Sequence, residues 1–300
     1  MPQSHNIGEN LYEQMTFVRK IMNDTGTQPF HSDLEIYNAL NKGQQYIARK
    51  ATPLIKKVTV TTVASTQEYA LRDYSFGDIL DISEDGVSFK INGTTYIPLT
   101  FTSKKELSLK TPGWRSVAAS TPQKYYYDKA SKTIGLYPKP NSTNAGAYLD
   151  IFGYYFPPVL HAGTAPSGST TTIVLPAGSA TLPYPSVTDD YYNGIYIEIY
   201  GGTGAGQRVK ITDYVGSTRT CTATFTTAPD STSTYGMVSP IQPEAHYLMP
   251  LYALSLQWKK SGSRTTLGDY YWKQFLSGLS LFIGENEEDP DEEIVRESYR

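Results

Sequence analysis

The sequence predicts an α+β protein. Three observations carry that class. Apolar residues recur at helical spacing near both ends of the 300-residue chain. They alternate with polar residues through its centre, and a Ser/Thr-rich alternating stretch separates the centre from the C-terminal helices. The expected arrangement is N- and C-terminal helices forming a helical bundle, a central antiparallel β-sandwich or barrel-like domain, and an inserted small all-β module. The segments are 1–55, a helical hairpin; 56–160, the central β domain; 161–240, the insert; 241–284, the helices completing the bundle; and 285–300, an acidic extended arm.

In LYEQMTFVRKIM, Leu11, Met15, Val18 and Met22 fall on one face of a 3.6-period helix. Asn10 is the expected N-cap with Glu13 three residues on, and Gly26 the expected terminator. A second helix starts at Ser32, where S-D-L-E reads as a capping box closed by Glu35. Ile36, Leu40 and Ile47 line one side, and Pro53 ends the helix because the residue before proline disfavours the helical region.

From Lys57 the period becomes two. VTVTTV, QEYAL, ILDI, VSFKI and TYIPL read as short strands, with Asn92-Gly93 as a hairpin turn. A loop through Pro112-Gly113-Trp114 leads to KYYYD, TIGLY and YLDIFGYYF. This predicts an all-β core of about a hundred residues, within the size of an ordinary domain.

Composition shifts at His161: residues 161–239 hold 24 Ser and Thr among 79 positions. The opening GTAPSGSTTT reads as a linker. Beyond it Ile195, Ile197 and Ile199 alternate with Tyr196, Glu198 and Tyr200, Val209 and Ile211 point inward, and Cys221, Ala223 and Phe225 alternate with threonines. Helical spacing returns with Leu248, Leu251, Leu254 and Trp258, where Pro250 implies a kink or a later start. Thr266 is the expected cap of a last helix carrying Leu267, Tyr271, Phe275, Leu279 and Phe282. The remainder has too few apolar residues to fold alone.

Composition excludes several chemistries. One cysteine, Cys221, rules out a disulfide framework and multi-cysteine metal sites. The four histidines are scattered, so no metal is expected. GGTGAGQ at 201–207 lacks the Lys-Ser/Thr of a phosphate loop and lies between strands, which reads as a hairpin turn. No nucleophile elbow or zinc-protease motif appears. The chain is therefore read as a non-enzyme without cofactors. No signal peptide or membrane span is visible, so it reads as soluble and made in a reducing cytoplasm.

Net charge is −3, yet residues 285–300 hold 8 acids and 2 bases, leaving the body at +3. Charged residues are 18% and tyrosines number 25, a composition suited to surface covered by other protein. Ile294, Val295 and Tyr299 turn the acidic tail into a spacer with apolar anchors. One such tail binds weakly, because ordering its backbone at about 1–2 kcal/mol per residue offsets the burial of three side chains. Many tails in a symmetric assembly bind well.

Two N-terminal helices with LNKGQQYIARK, then STQEYAL, ILDI, NGTTYIPL, TPGWR, TPQKYYYD, IGLYPKP and YYFPP, resemble head-to-tail adaptor (connector) proteins of tailed bacteriophages over about residues 8–158 and 243–284. The stretch with YNGIYIEIYGGTGAGQ, ITDY and TAPDSTSTY resembles a β module of phage tail and virion proteins. The resemblance implies a virion protein at the head–tail junction, assembled in the host cytoplasm as a homo-oligomeric, twelve-fold ring under the portal. It implies a channel through which DNA passes without sequence-specific binding. Portal contact would fall on Ile294, Val295, Arg296, Tyr299 and Arg300, and the ring interface on Tyr37, Tyr46, Tyr252 and Tyr270. Tyr191, Tyr192, Tyr196 and Tyr200 would face tail nozzle or fibre proteins. The large insert and the acidic spacer depart from the family pattern. A tail-fibre or carbohydrate-binding β protein, with the tyrosine pairs as stacking platforms, is the alternative; a wall-degrading hydrolase would need a catalytic pair that cannot be named.

Overall fold

The structure, a computed structural model, describes residues 9–26, 29–51, 54–71, 79–91, 95–144, 146–179, 182–260, 262 and 264–286. The chain divides into two compact units, Met1–Thr52 with Pro157–Arg300, and Pro53–Phe156. Among the described residues the fold is mixed α+β, with five α-helices and four sheets, none closed into a barrel.

In the first unit, α1 (Leu11–Met22) begins where local chemistry places it: the Asn10 carboxamide oxygen accepts from the Glu13 N–H at 3.0 Å. Its end differs from expectation. Asn23, not Gly26, takes the left-handed conformation at φ 54°, and its N–H reaches the Arg19 and Lys20 carbonyls. Asparagine tolerates that geometry better than most residues. α2 (Asp33–Lys50) carries the full Ser32–Glu35 capping box. Arg19 ties the two helices together: its guanidinium donates to the His31 carbonyl at 2.8 Å and to the Asp33 carboxylate.

The second unit contains β1 (Leu54–Thr61), β2 (Glu68–Ala70), β3 (Ile79–Ile91), β4 (Thr95–Pro98), β5 (Thr100–Phe101), α3 (Lys104–Lys110), β6 (Lys124–Asp128), β7 (Thr133–Tyr137) and β8 (Tyr148–Tyr155). They form sheets β1-β8-β3-β4 and β2-β7-β6-β5, antiparallel except for the β5–β6 pair. Val58, Val60, Phe89, Leu149 and Ile151 from one sheet share a buried cluster with Tyr125, Ile134 and Leu136 from the other.

Two expectations change here. ILDI and VSFKI are one strand, β3, whose register against β8 shifts between Ile82 and Val87; a bulge absorbs the polar residues that looked like a break. The region is also not all-β. Ser103 accepts from the Glu106 N–H at 3.0 Å and caps α3, whose Leu107 packs with Trp114 and Tyr126. The Asn92-Gly93 turn lies outside the described residues, though Ile91 and Thr95 pair across it.

Returning to the first unit, the strands are β9 (Ala162–Thr164), β10 (Thr172–Val174), β11 (Tyr196–Gly201), β12 (Arg208–Lys210), β13 (Asp213–Val215), β14 (Thr220–Thr222) and β15 (Thr234–Met237). They form sheets β12-β11-β15-β9 and β10-β14-β13. The opening of this segment is ordered rather than a linker. Ala162–Thr164 pairs with β15, and Gly168 bridges Ile173. Ile197, Ile199, Tyr235 and Met237 lie in the same buried cluster as Leu11, Ile36 and Leu40, so these strands and the helices share one core.

The last elements are α4 (Leu248–Lys260) and α5 (Thr265–Asn286). A short 3-10 turn, Pro243–Ala245, precedes α4. Pro250 is therefore the third residue of α4, where its missing N–H has no intrahelical partner to lose. α5 starts at Thr265, one residue before the expected cap, so Thr266 lies inside the helix and is not its cap.

Candidate functional site

Among the described residues the last helix presents a long, weakly charged outer face. α5 has 22 residues and is about 33 Å long at 1.5 Å per residue. Its inner side lies close to α4, because a Cβ at Gly268 would sit 2.9 Å from the Ser255 carbonyl oxygen and one at Gly278 would sit 2.7 Å from Leu248. Phe275, Leu279 and Phe282 fill that side. The outer side displays Leu267, Tyr270, Leu276 and Leu281, the last 64% exposed, among Thr266, Gln274, Ser277 and Ser280. Between Thr265 and Gly284 the only charged residues are Asp269 and Lys273. Asp269 is paired with Lys259 at 3.0 Å.

The four tyrosines expected at a ring interface do not lie together. Tyr37 is 1% exposed and packed in the unit's own core, where burial drives its phenol upward; it has no ring surface to offer a neighbour. Tyr46 and Tyr252 are half-buried, with ring centroids 5.9 Å apart, and both pack on Phe275, joining α2, α4 and α5. Tyr270 is exposed, its ring edge-on to Tyr271 at 5.2 Å.

Of the tyrosines expected to face a fibre, Tyr196 and Tyr200 are exposed on one face of β11. The Arg208 guanidinium lies over the Tyr196 ring at 5.4 Å, and Tyr12 packs on Tyr200 at 5.0 Å. Tyr192 is buried against Tyr214 and accepts from the Ser186 N–H. Tyr191 is half-buried and accepts from the Val159 N–H at 3.0 Å. Ile294, Val295, Arg296, Tyr299 and Arg300 lie outside the described residues.

The residues weighed for other chemistry take structural roles. The 201–207 loop joins β11 to β12 as a hairpin turn, with Gly202, Gly204 and Gly206 at φ between 76° and 87°. Cys221 is buried, which pushes its thiol well up. His31, His161 and His246 are each buried in separate surroundings and shifted down by desolvation; His5 lies outside the described residues. Among the described residues no three His, Cys, Asp or Glu side chains come together to hold a metal, and no helix is long and apolar enough to cross a membrane.

Sequence reasoning passed over one displayed segment. Tyr184 and Val187 are 73% and 86% exposed on the loop between β10 and β11. The bracketing Pro183 and Pro185 were its available signal.

The family model for the SU10 adaptor protein matches residues 10–200. The match runs through the central unit and past His161 into β11, across the point where the sequence suggests an insert. No curated protein sequence matches the chain.

Proposed function

The chain belongs to the SU10 adaptor protein family, and from that premise we propose that it is the ring-forming subunit joining a phage head to its tail. At the coarser level the family makes it a structural adaptor protein of a bacteriophage and a component of the virion. The finer reading is that copies pack side by side under the portal, in a ring taken as twelve-fold, with DNA passing through the centre without sequence-specific contact. The arm carrying Ile294, Val295, Arg296, Tyr299 and Arg300 reaches the portal. The displayed tyrosines Tyr196 and Tyr200 meet nozzle or fibre proteins. The helices at both ends form the bundle and residues 161–240 the outward β segment.

The observation that carries this reading is the outer face of α5. Four large apolar side chains stand exposed along it, with only Asp269 and Lys273 charged between Thr265 and Gly284. A face of that kind on a structural subunit is stabilised by covering it with another copy, since apolar burial contributes about 25 cal/mol per Å².

The test is size-exclusion chromatography with light scattering, and negative-stain imaging, with and without the portal. Wild-type protein should form rings or portal-bound collars, and Leu276→Glu with Leu281→Glu should leave folded monomer. A wild-type chain that stays solitary at high concentration, with the portal present, refutes the proposal.

A further inference from the structure

We propose that Asn193-Gly194 is a latent modification site: a spontaneous deamidation that the folded turn 190–194 restrains, and that becomes irreversible once the turn has opened. The inference goes beyond the ring reading and does not depend on how copies assemble.

An asparagine followed by glycine carries its own reagents. The glycine backbone nitrogen gives up its proton and attacks the asparagine side-chain carbonyl carbon. The carboxamide C–N bond breaks, and ammonia leaves with a proton passed to it through water. Water then opens the five-membered imide at either carbonyl, leaving aspartate, or isoaspartate with the side-chain methylene in the main chain. Glycine favours the attack because no Cβ stands in the way of a close approach. The sequence holds two such steps, at 92–93 and 193–194. The first lies outside the described residues; Asn193 and Gly194 are both exposed, so water reaches them.

The fold holds both reacting groups. The Gly194 N–H donates to the Ile211 carbonyl at 2.8 Å, so the nucleophilic nitrogen is tied by its own proton to the residue after β12. The Asn193 carboxamide nitrogen donates to Asp190 Oδ1 at 2.7 Å; a carboxylate accepts only, which fixes the amide end that meets it. The turn is fastened as well. The Asp190 N–H donates to the Tyr214 carbonyl at 2.9 Å, and the Asn193 N–H to the Asp190 carbonyl at 3.0 Å. Asp190 sits at φ 63° and Gly194 at φ 87°, left-handed values that glycine and short polar residues tolerate. Attack requires breaking the Gly194–Ile211 bond and swinging the carboxamide off Asp190, so the reaction waits on local opening. Isoaspartate then lengthens the main chain by one methylene just before Gly194. The adjoining bonds, Gly194 to Ile211 and Ile211 to Ile195 at 2.9 Å, no longer meet in register, and the turn does not reclose.

Peptide mapping by mass spectrometry tests this. Full-length folded protein and an unstructured peptide of residues 190–197 are aged side by side at mildly alkaline pH. Asn193 should deamidate at least about tenfold more slowly in the protein, the scale of breaking two hydrogen bonds, one of them to a carboxylate. Asp190→Gly keeps the left-handed backbone and removes the carboxylate, and should speed the change about fivefold or more. Asp190→Asn keeps an acceptor oxygen and should restore most of the restraint. Circular dichroism with thermal melting confirms that each variant folds, and the comparison of wild type with peptide stands without them. Protein deamidated at Asn193 should lose the slow hydrogen exchange of the Gly194 and Ile211 amides. Asn193 that deamidates as fast in the folded protein as in the peptide overturns the inference, and so does an unchanged rate in folded Asp190→Gly.

Discussion

Asn41→Ala tests how the β strands of the first unit are fastened to its helices. Asn41 is 4% exposed on α2. Its side chain accepts from the Leu160 N–H at 2.7 Å and donates to the Leu160 carbonyl at 3.1 Å. Gln44, one turn on, donates to the Pro158 carbonyl at 2.7 Å and to Asn41 Oδ1 at 2.9 Å, while Ser239 Oγ donates to Gln44 Oε1 at 2.8 Å. The chain thus enters at 158–160 and leaves at 239 through one buried network on α2. Truncating Asn41 orphans two backbone groups of Leu160, itself 1% exposed. At about 1–3 kcal/mol for each unsatisfied buried group, the loss is about 2–6 kcal/mol. Alanine's better helix propensity returns about 0.5 kcal/mol. Urea unfolding followed by tryptophan fluorescence suits the measurement, since two of the three tryptophans, Trp258 and Trp272, lie in this unit. The midpoint should fall by about 0.5–3 M, taking a slope of about 2–3 kcal/mol per molar urea. Asn38→Ala, on the exposed side of the same helix, should instead raise it slightly. A variant at Asn41 within about 0.5 kcal/mol of wild type would show that the network does not fasten the strands.

Three further outcomes are expected. Burial lowers the His161 imidazole from 6.5 to about 4. The unfolded chain therefore binds a proton that the folded chain refuses, and stability present above pH 6.5 is lost as pH falls towards 4, by up to about 3 kcal/mol. His161→Gln should flatten that part of the pH–stability curve, and an unchanged slope would refute the assignment. Gly135→Ala should destabilise the second unit by about 1–3 kcal/mol or more, because its Cβ would lie 2.0 Å from the Tyr126 ring. Trp114, packed edge-on to Tyr126 at 5.4 Å, reports that unfolding, and a wild-type melt would contradict the packing. Deleting 287–300 should leave the melting temperature unchanged and abolish co-sedimentation with the portal; a truncated chain that still binds would place portal contact elsewhere.

Helix starts were legible because capping is local: Asn10 with Glu13, and Ser32 with Glu35, each satisfy an orphan N–H within one turn. Ser103 with Glu106 is the same signal, overlooked because it lies in a run of strands. Alternation placed Ile197, Ile199 and Cys221 inside and Tyr196 and Tyr200 outside. It did not separate Tyr37 and Tyr192, both buried, from tyrosines that are displayed, since a tyrosine's composition signal is the same in a core as at an interface. The α5 face was partly legible through Tyr270. Leu276 and Leu281 were not singled out, because helical spacing tells which residues share a side and not which side meets a neighbour.

The amino-acid order by itself determined where α1 and α2 begin, which faces of strands are apolar and where acidity concentrates. All of these depend on interactions within a few positions or on composition. Only the tertiary structure decided that β1 pairs with β8, that strands 162–237 share a core with α1 and α2, and that His161, Tyr192 and Tyr214 converge on one loop. Those are contacts between distant segments. A period of two or 3.6 leaves the partner open until the whole chain has packed.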